Sequence, residues 1–137
     1  MTAPAHLYRS DTDLFAEIAR QHEQTPLSAI FFDEAQFLTK AQVWLLARVG
    51  ERLKVPVLCY GLRTDFQGEL FEGSSALLAI ADDLREARTI CHCGKKAIMT
   101  ARLDENGKAI TEGDQVSVGK EVYVSLCRYH WEEALGR

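Results

Sequence analysis

Two adjacent carboxylates, Asp33 and Glu34, follow directly on the apolar run AIFF and are themselves followed by Gln36. A strand that ends in this way presents its carboxylates at the edge where α/β folds bind ligands. One carboxylate there can support Mg²⁺, which prefers oxygen ligands, and the next can accept the proton of an attacking hydroxyl. Alternatively, the two residues only begin a loop and cap the following helix. The dipeptide alone does not decide between these interpretations.

Cysteine and histidine form a second candidate site, with the pattern Cys91-x-Cys93 followed later by Cys127-x-x-His130. Structural zinc takes four Cys or His ligands, and two closely spaced pairs are a common way to supply them. The first pair is one residue shorter than C-x-x-C, and His92 is a competing ligand. The alternative is three incidental thiols and a surface histidine. Because a closed set of four ligands leaves no position for substrate, we expect any zinc here to be structural.

Short apolar and amphipathic segments predict the elements that position these groups. Residues 13–24 are predicted to form a helix that ends before Pro26, and Thr39 and Gln42 have the form of a capping box for a second helix, AQVWLLARVGERL. On either side of that second helix, the runs LSAIFF and VPVLCY are typical of strands buried on both faces. A strand, a helix and a strand in this order predict a parallel α/β fold.

The pattern of residues changes in the last third of the sequence. The irregular stretch GLRTDFQGELFEGS and a short helix, SALLAIADDL, follow the second strand. From Arg88 onward, short alternating segments with a turn at Asn106-Gly107 predict a small β subdomain closed by a short helix. We therefore predict two domains, a partial α/β domain over residues 1–87 and a zinc-binding β subdomain over residues 88–137.

Composition excludes several classes of partner. The chain has 137 residues, 47% of them hydrophobic, and a net charge of −4, so it has no general basic field for nucleic acid and no basic run for a membrane surface. No stretch approaches the roughly 20 apolar residues of a spanning helix. The N-terminal stretch lacks the apolar segment of a secretory signal, and we expect a cytoplasmic protein. Cys59, inside an apolar run, is expected to be a core residue.

In combination, these segments resemble the zinc-containing family of thymidine kinases, which includes bacterial enzymes and the vertebrate cytosolic enzyme. The resemblance is carried by FFDEAQFLT, VPVLCYGLRTDFQGELFEGS, TICHCGKKA, GKEVYVSLCRYH and the EAL that follows. These segments run in the family's order over nearly the whole chain. The resemblance implies a partial P-loop-type parallel sheet with helices, followed by a small zinc-binding β subdomain that carries a lasso loop.

The resemblance also implies roles for particular residues. Glu34 matches the general base that takes the proton of the 5′-hydroxyl of thymidine, Asp33 matches the Walker B aspartate that supports Mg²⁺, and Gln36 belongs to the same nucleotide-site segment. The implied nucleoside-site residues, from the thymine pocket and the lasso loop, are Phe37, Leu62, Phe66, Phe71, Thr100, Ser117, Val118, Gly119 and Tyr123. The implied zinc ligands are Cys91, Cys93, Cys127 and His130.

The reaction implied by the resemblance is transfer of the γ-phosphate of ATP, with Mg²⁺, to thymidine, giving dTMP. It further implies dTTP as a feedback inhibitor and a homo-oligomer, a tetramer, for the full-length enzyme. One family element is missing from the sequence: a phosphate-binding loop of the type G-x-x-x-x-G-K-[ST]. The Gly-Lys pairs that begin at Gly94, Gly107 and Gly119 lack both the leading glycine and the following Ser or Thr. We therefore expect the sequence to be the C-terminal portion of a thymidine kinase.

Two other hypotheses compete with the kinase. The first is a non-catalytic, zinc-bearing module that binds thymidine or dTTP. The second is a different class of P-loop enzyme, which the pattern C-x-C…C-x-x-H disfavours.

Overall fold

A computed structural model describes residues 4–137 of the chain. The chain divides into two compact units. The first comprises the chain up to Leu62 together with Glu72–Ile80, and the second comprises Arg63–Phe71 and Ala81–Arg137. The domain boundary after residue 87 stays a prediction. No helix within residues 4–137 is long and apolar enough to cross a membrane.

The first unit is an α/β structure built on a parallel pair of strands. Its elements are α1 (Leu14–Gln24), β1 (Ile30–Phe32), a 3₁₀ turn (Ala35–Phe37), α2 (Lys40–Arg48), a π-helical turn (Val49–Leu53), β2 (Val57–Cys59) and α3 (Glu72–Ile80). Strands β1 and β2 are parallel, with Ile30 opposite Val57 and Phe32 opposite Cys59. The predicted parallel α/β class is therefore confirmed.

Local capping groups begin the first two helices. The Asp13 carboxylate accepts a hydrogen bond from the Ala16 N–H and starts α1. The predicted capping box is confirmed, because the Thr39 hydroxyl accepts from the Gln42 N–H while the Gln42 side chain accepts from the Thr39 N–H. The amide nitrogen of Gln42 also donates to the Thr12 carbonyl, 3.2 Å away. These bonds attach the segment before α1 to the start of α2.

Two predicted helix bounds differ from the structure. Helix α2 ends at Arg48 instead of continuing to Leu53, and the next five residues form a π-helical turn that contains Gly50, a poor helix former. Lys54, with φ of 57°, then turns the chain toward β2. Helix α3 begins at Glu72 and ends at Ile80, earlier at both ends than the pattern SALLAIADDL predicts.

The core of the first unit lies on one face of the parallel pair. The buried apolar residues of this core are Leu14, Ile18, Phe32, Ala35, Leu38, Val43, Leu46, Val49, Val55 and Ala76. Side chains alternate between the two faces of a strand, so Phe31 and Leu58 point away from this core and are 70% and 38% exposed. The prediction that these strands are buried on both faces is therefore wrong, since the helices within residues 4–137 cover only the face of Ile30 and Phe32.

The second unit is a small β structure closed by a helix, as predicted. Antiparallel pairs join β3 (Thr89–Ile90) to β4 (Lys96–Ala97) and β5 (Met99–Leu103) to β6 (Val122–Leu126), and α4 (Arg128–Ala134) follows. Residues 104–121, the β5–β6 loop, connect the longer pair. The predicted turn within it is confirmed, because the Gly107 N–H donates to the Asp104 carbonyl and Gly107 has φ of 77°. The buried core of this unit contains Cys91, Ala101, Leu126, Cys127 and Trp131.

Candidate active site and metal centre

Asp33 and Glu34 lie at the C-terminal edge of the parallel pair, as the sequence predicts. Backbone bonding continues past the strands: the Tyr60 N–H donates to the Phe32 carbonyl at 2.8 Å, and the Ala35 N–H donates to the Tyr60 carbonyl at 2.9 Å. Glu34 has φ of 53° and ψ of 39°, a left-handed conformation that is uncommon outside glycine. An Asp33 carboxylate oxygen accepts from the Glu34 N–H at 2.9 Å. Both carboxylates are exposed and accessible to a ligand.

The buried side chain of Gln36 holds the Glu34 carboxylate by a hydrogen bond. Its side chain is only 3% exposed. The amide nitrogen donates to the Glu34 carboxylate, and the amide oxygen accepts from the Leu62 N–H at 3.2 Å. Gln36 therefore links Glu34 to the segment that leaves β2. Its contact with a nucleotide stays a prediction.

Tyr8 provides a second attachment for Glu34 that sequence reasoning missed. The Tyr8 hydroxyl donates to the Glu34 carbonyl at 3.1 Å, and its ring packs on Phe32 with centroids 4.6 Å apart. Burial, with additional contributions from Glu34, Cys59 and Asp33, raises the pKa of the Tyr8 hydroxyl, so it remains a hydrogen-bond donor near neutral pH. No local motif around Tyr8 indicates this contact, because the two residues are distant in the sequence.

Two glycines allow the backbone to approach this site closely. A Cβ atom at Gly61 would lie 2.6 Å from the Gln36 amide oxygen and 2.9 Å from the Gln36 nitrogen. A Cβ atom at Gly73, in the first turn of α3, would clash with the Ala35 carbonyl and lie 2.8 Å from the carbonyl of Leu38. Only glycine fits at both positions without a shift of the backbone. The 3₁₀ turn that follows Glu34 is thereby held against α3 and the segment after β2.

We expect Gly73→Ala to destabilise the first unit by about 2–3 kcal/mol, because the added methyl group meets backbone carbonyls that cannot rotate away. The matched control is Gly50→Ala, where the nearest atom to a new Cβ is the Val55 carbonyl oxygen at 3.9 Å. That change is expected to be neutral or slightly stabilising. Urea unfolding followed by circular dichroism measures both, and equal midpoints for the two variants would contradict the close approach.

Phe37 and Leu62, the implied pocket residues of the first unit, are both exposed. The Leu62 N–H is bound by Gln36, and its carbonyl accepts from the Ser74 hydroxyl. The backbone at Leu62 is thus fixed on both sides while its side chain remains accessible. The contact of these two side chains with a nucleoside stays a prediction.

The second unit brings the four predicted metal ligands together. The Sγ atoms of Cys91 and Cys127 lie 3.6 and 3.2 Å from Nδ1 of His130, and the Sγ atoms of Cys93 and Cys127 lie 3.8 Å apart. All four donor atoms lie within 4.8 Å of one another. A tetrahedral zinc with Zn–S bonds of about 2.3 Å requires sulfurs about 3.8 Å apart. The cluster therefore fits a structural zinc.

Two different local structures present these ligands. Cys91 begins a tight turn in which its N–H donates to the Lys95 carbonyl and its carbonyl accepts from the N–H of Gly94, which has φ of 84°. Cys127 is the N-cap of α4, so His130 lies in the first turn of that helix. His92 is exposed, with its ring centroid 4.3 Å from that of His130, and it is not one of the four donors. The competition between the two histidines is thus decided in favour of His130.

Hydrogen bonds favour the thiolate form of two of the three clustered cysteines, Cys91 and Cys127. Burial by itself would raise the pKa of the Cys91 thiol, but bonds from the backbone N–H groups and thiols of Cys93 and Cys127 lower it to about 6. The His130 backbone N–H is the main cause of the lowered pKa of Cys127. Thiolates are the form that ligates zinc. In contrast, burial raises the pKa of the Cys59 thiol to about 11, as expected of a core cysteine.

The implied thymine-pocket residues of the second unit differ in exposure. Phe66 and Phe71 are buried, Thr100 is partly buried with its carbonyl accepting from the Trp131 indole at 3.0 Å, and Tyr123 is exposed. In the β5–β6 loop, Val118 and Gly119 are exposed, and the Ser117 hydroxyl bonds to the Glu121 carboxylate at 2.9 Å. Contact of these residues with a nucleoside stays a prediction.

Two buried polar residues of the second unit were missed by sequence reasoning, namely Arg102 and Asp65. Arg102 lies on β5 and contacts Tyr123, which was predicted to bind substrate. The only sequence pattern that could have indicated a buried role for Arg102 is a charged residue beside the small Ala101 in a strand. That pattern is equally typical of a strand face exposed to solvent.

Comparison with known proteins identifies the family. The thymidine kinase family model matches residues 2–131. The chain is 62% identical to the thymidine kinase of Mesorhizobium japonicum, 59% to that of Vibrio cholerae and 56% to that of Agrobacterium fabrum, with 97%, 100% and 97% of the chain covered. It spans 66%, 72% and 69% of the lengths of these relatives. The chain belongs to the thymidine kinase family.

Proposed function

We propose that this chain carries the acceptor site of a thymidine kinase, which transfers the γ-phosphate of ATP to the 5′-hydroxyl of thymidine and releases dTMP and ADP. The observation that carries the proposal is the placement of Glu34. Its carboxylate is exposed at the C-terminal edge of the β1–β2 pair and receives a hydrogen bond from the buried amide of Gln36. The names of the relatives support the same reaction.

In this proposal Glu34 is the general base. Its carboxylate accepts the proton of the 5′-hydroxyl while the oxygen bonds to the γ-phosphorus and the bond to the β–γ bridging oxygen breaks. Asp33, exposed beside it, would hold Mg²⁺ directly or through water. When bound with ATP, Mg²⁺ neutralises charge that develops on the phosphate oxygens.

Thymine recognition is proposed for the second unit. The rings of Phe66, Phe71 and Tyr123 offer faces suited to a planar base, since aromatic contact adds affinity at little cost in side-chain entropy. Thr100 would lie near the base, and Ser117, Val118 and Gly119 would close over the nucleoside as the lasso loop. Phe37 and Leu62 are proposed, on the family resemblance, as apolar residues of the nucleoside site.

The remaining parts of the proposal rest on the family resemblance. Zinc on Cys91, Cys93, Cys127 and His130 has a structural role, and Mg²⁺ enters with ATP. dTTP acts as a feedback inhibitor, and the whole enzyme is a cytoplasmic homotetramer. A second candidate is a zinc-bearing module that binds thymidine or dTTP without turnover. The lack of a G-x-x-x-x-G-K-[ST] loop in these 137 residues favours that candidate for the chain by itself.

Two measurements on the zinc-loaded chain separate these possibilities. Calorimetry measures the affinity for thymidine and dTTP, with uridine as a control, and transfer of label from γ-labelled ATP to thymidine with Mg²⁺ measures catalysis. Binding with transfer supports the kinase. Binding without transfer supports the module. If neither thymidine nor dTTP binds more tightly than uridine and no label is transferred, both candidates are wrong.

A further inference from the structure

Arg102 is a buried cation, only 2% exposed. It forms no ion pair within residues 4–137. A buried charge is costly unless other groups replace its hydration. Here two aromatic faces contribute, because the guanidinium carbon lies 3.8 Å from the ring centroid of Phe66 and 5.5 Å from that of Tyr123. Such a stack is better suited to a planar guanidinium than to an ammonium.

The guanidinium also donates hydrogen bonds to the β5–β6 loop and to the strand that follows it. Its Nε donates to the Tyr123 hydroxyl at 3.1 Å, and its Nη2 donates to the Gln115 carbonyl at 2.9 Å. Tyr123 follows the loop, on β6, whereas Gln115 lies inside it. One planar side chain therefore sets the position of the loop backbone and of a ring that faces solvent. Because the Tyr123 oxygen accepts this bond, its own hydroxyl proton remains able to donate to another group.

A second connection links the loop to the segment that carries Phe66. The Gln115 amide donates to the Asp65 carboxylate at 2.9 Å. Asp65 is buried, and its other oxygen accepts from the N–H groups of Gln67 and Glu69 at 2.8 and 3.0 Å. The segment 63–71 is thus a turn closed by its own hydrogen bonds, and the loop is attached to it through Gln115 directly and through Arg102 stacked on Phe66.

We propose that Arg102 is a positioning residue that orders the β5–β6 loop against Phe66, and that the affinity of the site for a pyrimidine nucleoside depends on this order. The second part rests on the proposed function. Arg102 acts through Tyr123 and the loop backbone and does not itself contact the nucleoside. Its loss would release the loop and the Tyr123 ring together.

Limited proteolysis tests the ordering without a ligand. Lys120 lies exposed in the loop, so trypsin cleavage after it, followed by mass spectrometry, reports how often the loop opens. In the zinc-loaded chain, Arg102→Met is expected to raise the rate of this cleavage about tenfold, because two charge-assisted hydrogen bonds and the ring stack are lost. Arg102→Lys is expected to rescue only part of the effect. Arg88→Met, which removes an exposed arginine of the same unit, is the control.

A loss of bound zinc would show that Arg102→Met fails to fold. In that case a second variant keeps the test valid. Tyr123→Phe retains the ring and removes the acceptor of the Arg102 Nε bond, and it is expected to raise cleavage after Lys120 by a smaller factor. The deciding variants are Tyr123→Phe and those Arg102 variants that retain zinc. If all of them are cleaved at the wild-type rate, Arg102 does not order the loop and the proposal is wrong.

Thymidine affinity, measured by calorimetry on the same proteins, tests the second part. We expect Arg102→Met, or Arg102→Lys if the former does not fold, to weaken thymidine binding about tenfold or more while zinc content stays unchanged. Unchanged affinity in a variant whose loop has opened would overturn the link to the nucleoside. If the wild type does not bind thymidine but the cleavage rates differ as expected, the ordering role stands and the proposed function fails.

Discussion

Replacing Cys127 with serine is expected to unfold the second unit while the first unit keeps its structure. Cys91 and Cys127 are two of the five buried residues in the core of the second unit, so losing the metal removes part of the core as well as the cross-link. Structural zinc contributes about 10–16 kcal/mol to the folding of small domains, far more than so small a core supplies by burial. A chelator added to the wild type is expected to have the same effect.

Tryptophan fluorescence measures this directly. The chain has two tryptophans, and Trp131 is the one in the second unit, where it is buried and donates to the Thr100 carbonyl. In a Trp44→Phe background, removal of zinc is expected to shift the emission of Trp131 to that of a solvated indole. Hydrogen exchange of β1 and α2 should not change when zinc is removed. Native emission from Trp131 without zinc would show that the metal is not structural.

Matched substitutions distinguish the zinc ligands from other cysteine and histidine residues. Cys59→Ala, on β2 in the first unit, is expected to leave the zinc content unchanged. His130→Ala is expected to lose zinc, whereas His92→Ala is expected to retain it, because only His130 directs a nitrogen at the three sulfurs. Equal zinc loss in the two histidine variants would contradict the observed donor set.

In a form of the enzyme that transfers phosphate, with a phosphate-binding loop present, Glu34→Gln is expected to slow phosphate transfer to thymidine about 10²- to 10⁴-fold, which is the usual contribution of a general base. The amide is nearly isosteric with the carboxylate but cannot accept the proton of the 5′-hydroxyl. Thymidine affinity should change little, because the substitution removes an interaction that matters in the transition state and not in the ground state. Initial rates with γ-labelled ATP and equilibrium binding of thymidine give the two quantities separately.

Glu23→Gln is the control for Glu34→Gln. Glu23 is an exposed glutamate on α1, and its substitution is expected to leave the transfer rate unchanged. A wild-type rate for Glu34→Gln would exclude Glu34 as the base. A parallel loss of thymidine affinity and of rate would instead indicate that Glu34 holds the substrate and does not act on its proton.

Sequence patterns correctly predicted those features that depend on neighbours along the chain. The capping box at Thr39, the strand–helix–strand order and the turn at Gly107 each require only a few consecutive residues to be of suitable type. The four zinc ligands could also be predicted from the sequence, because cysteine and histidine pairs at short spacing have few other uses in such a sequence. Resemblance to thymidine kinases over nearly the whole chain then identified the family.

Other features were decided only by contacts between distant residues. Local periodicity cannot show which face of a strand is covered, so the exposure of Phe31 was not predictable from its apolar surroundings. The requirement for glycine at position 73 comes from carbonyls of the 3₁₀ turn, and the role of Gln36 comes from Glu34 and Leu62 meeting at its amide.

Arg102 is the clearest case of a role decided in three dimensions. By sequence it is a charged residue in a short strand, and only the fold places Phe66, Gln115 and Tyr123 around its guanidinium. The sequence by itself thus determined the chemical groups and the family, because these depend on residue type and spacing. The tertiary structure decided which side chains orient those groups, because hydrogen bonds and stacking join residues that are far apart in the chain.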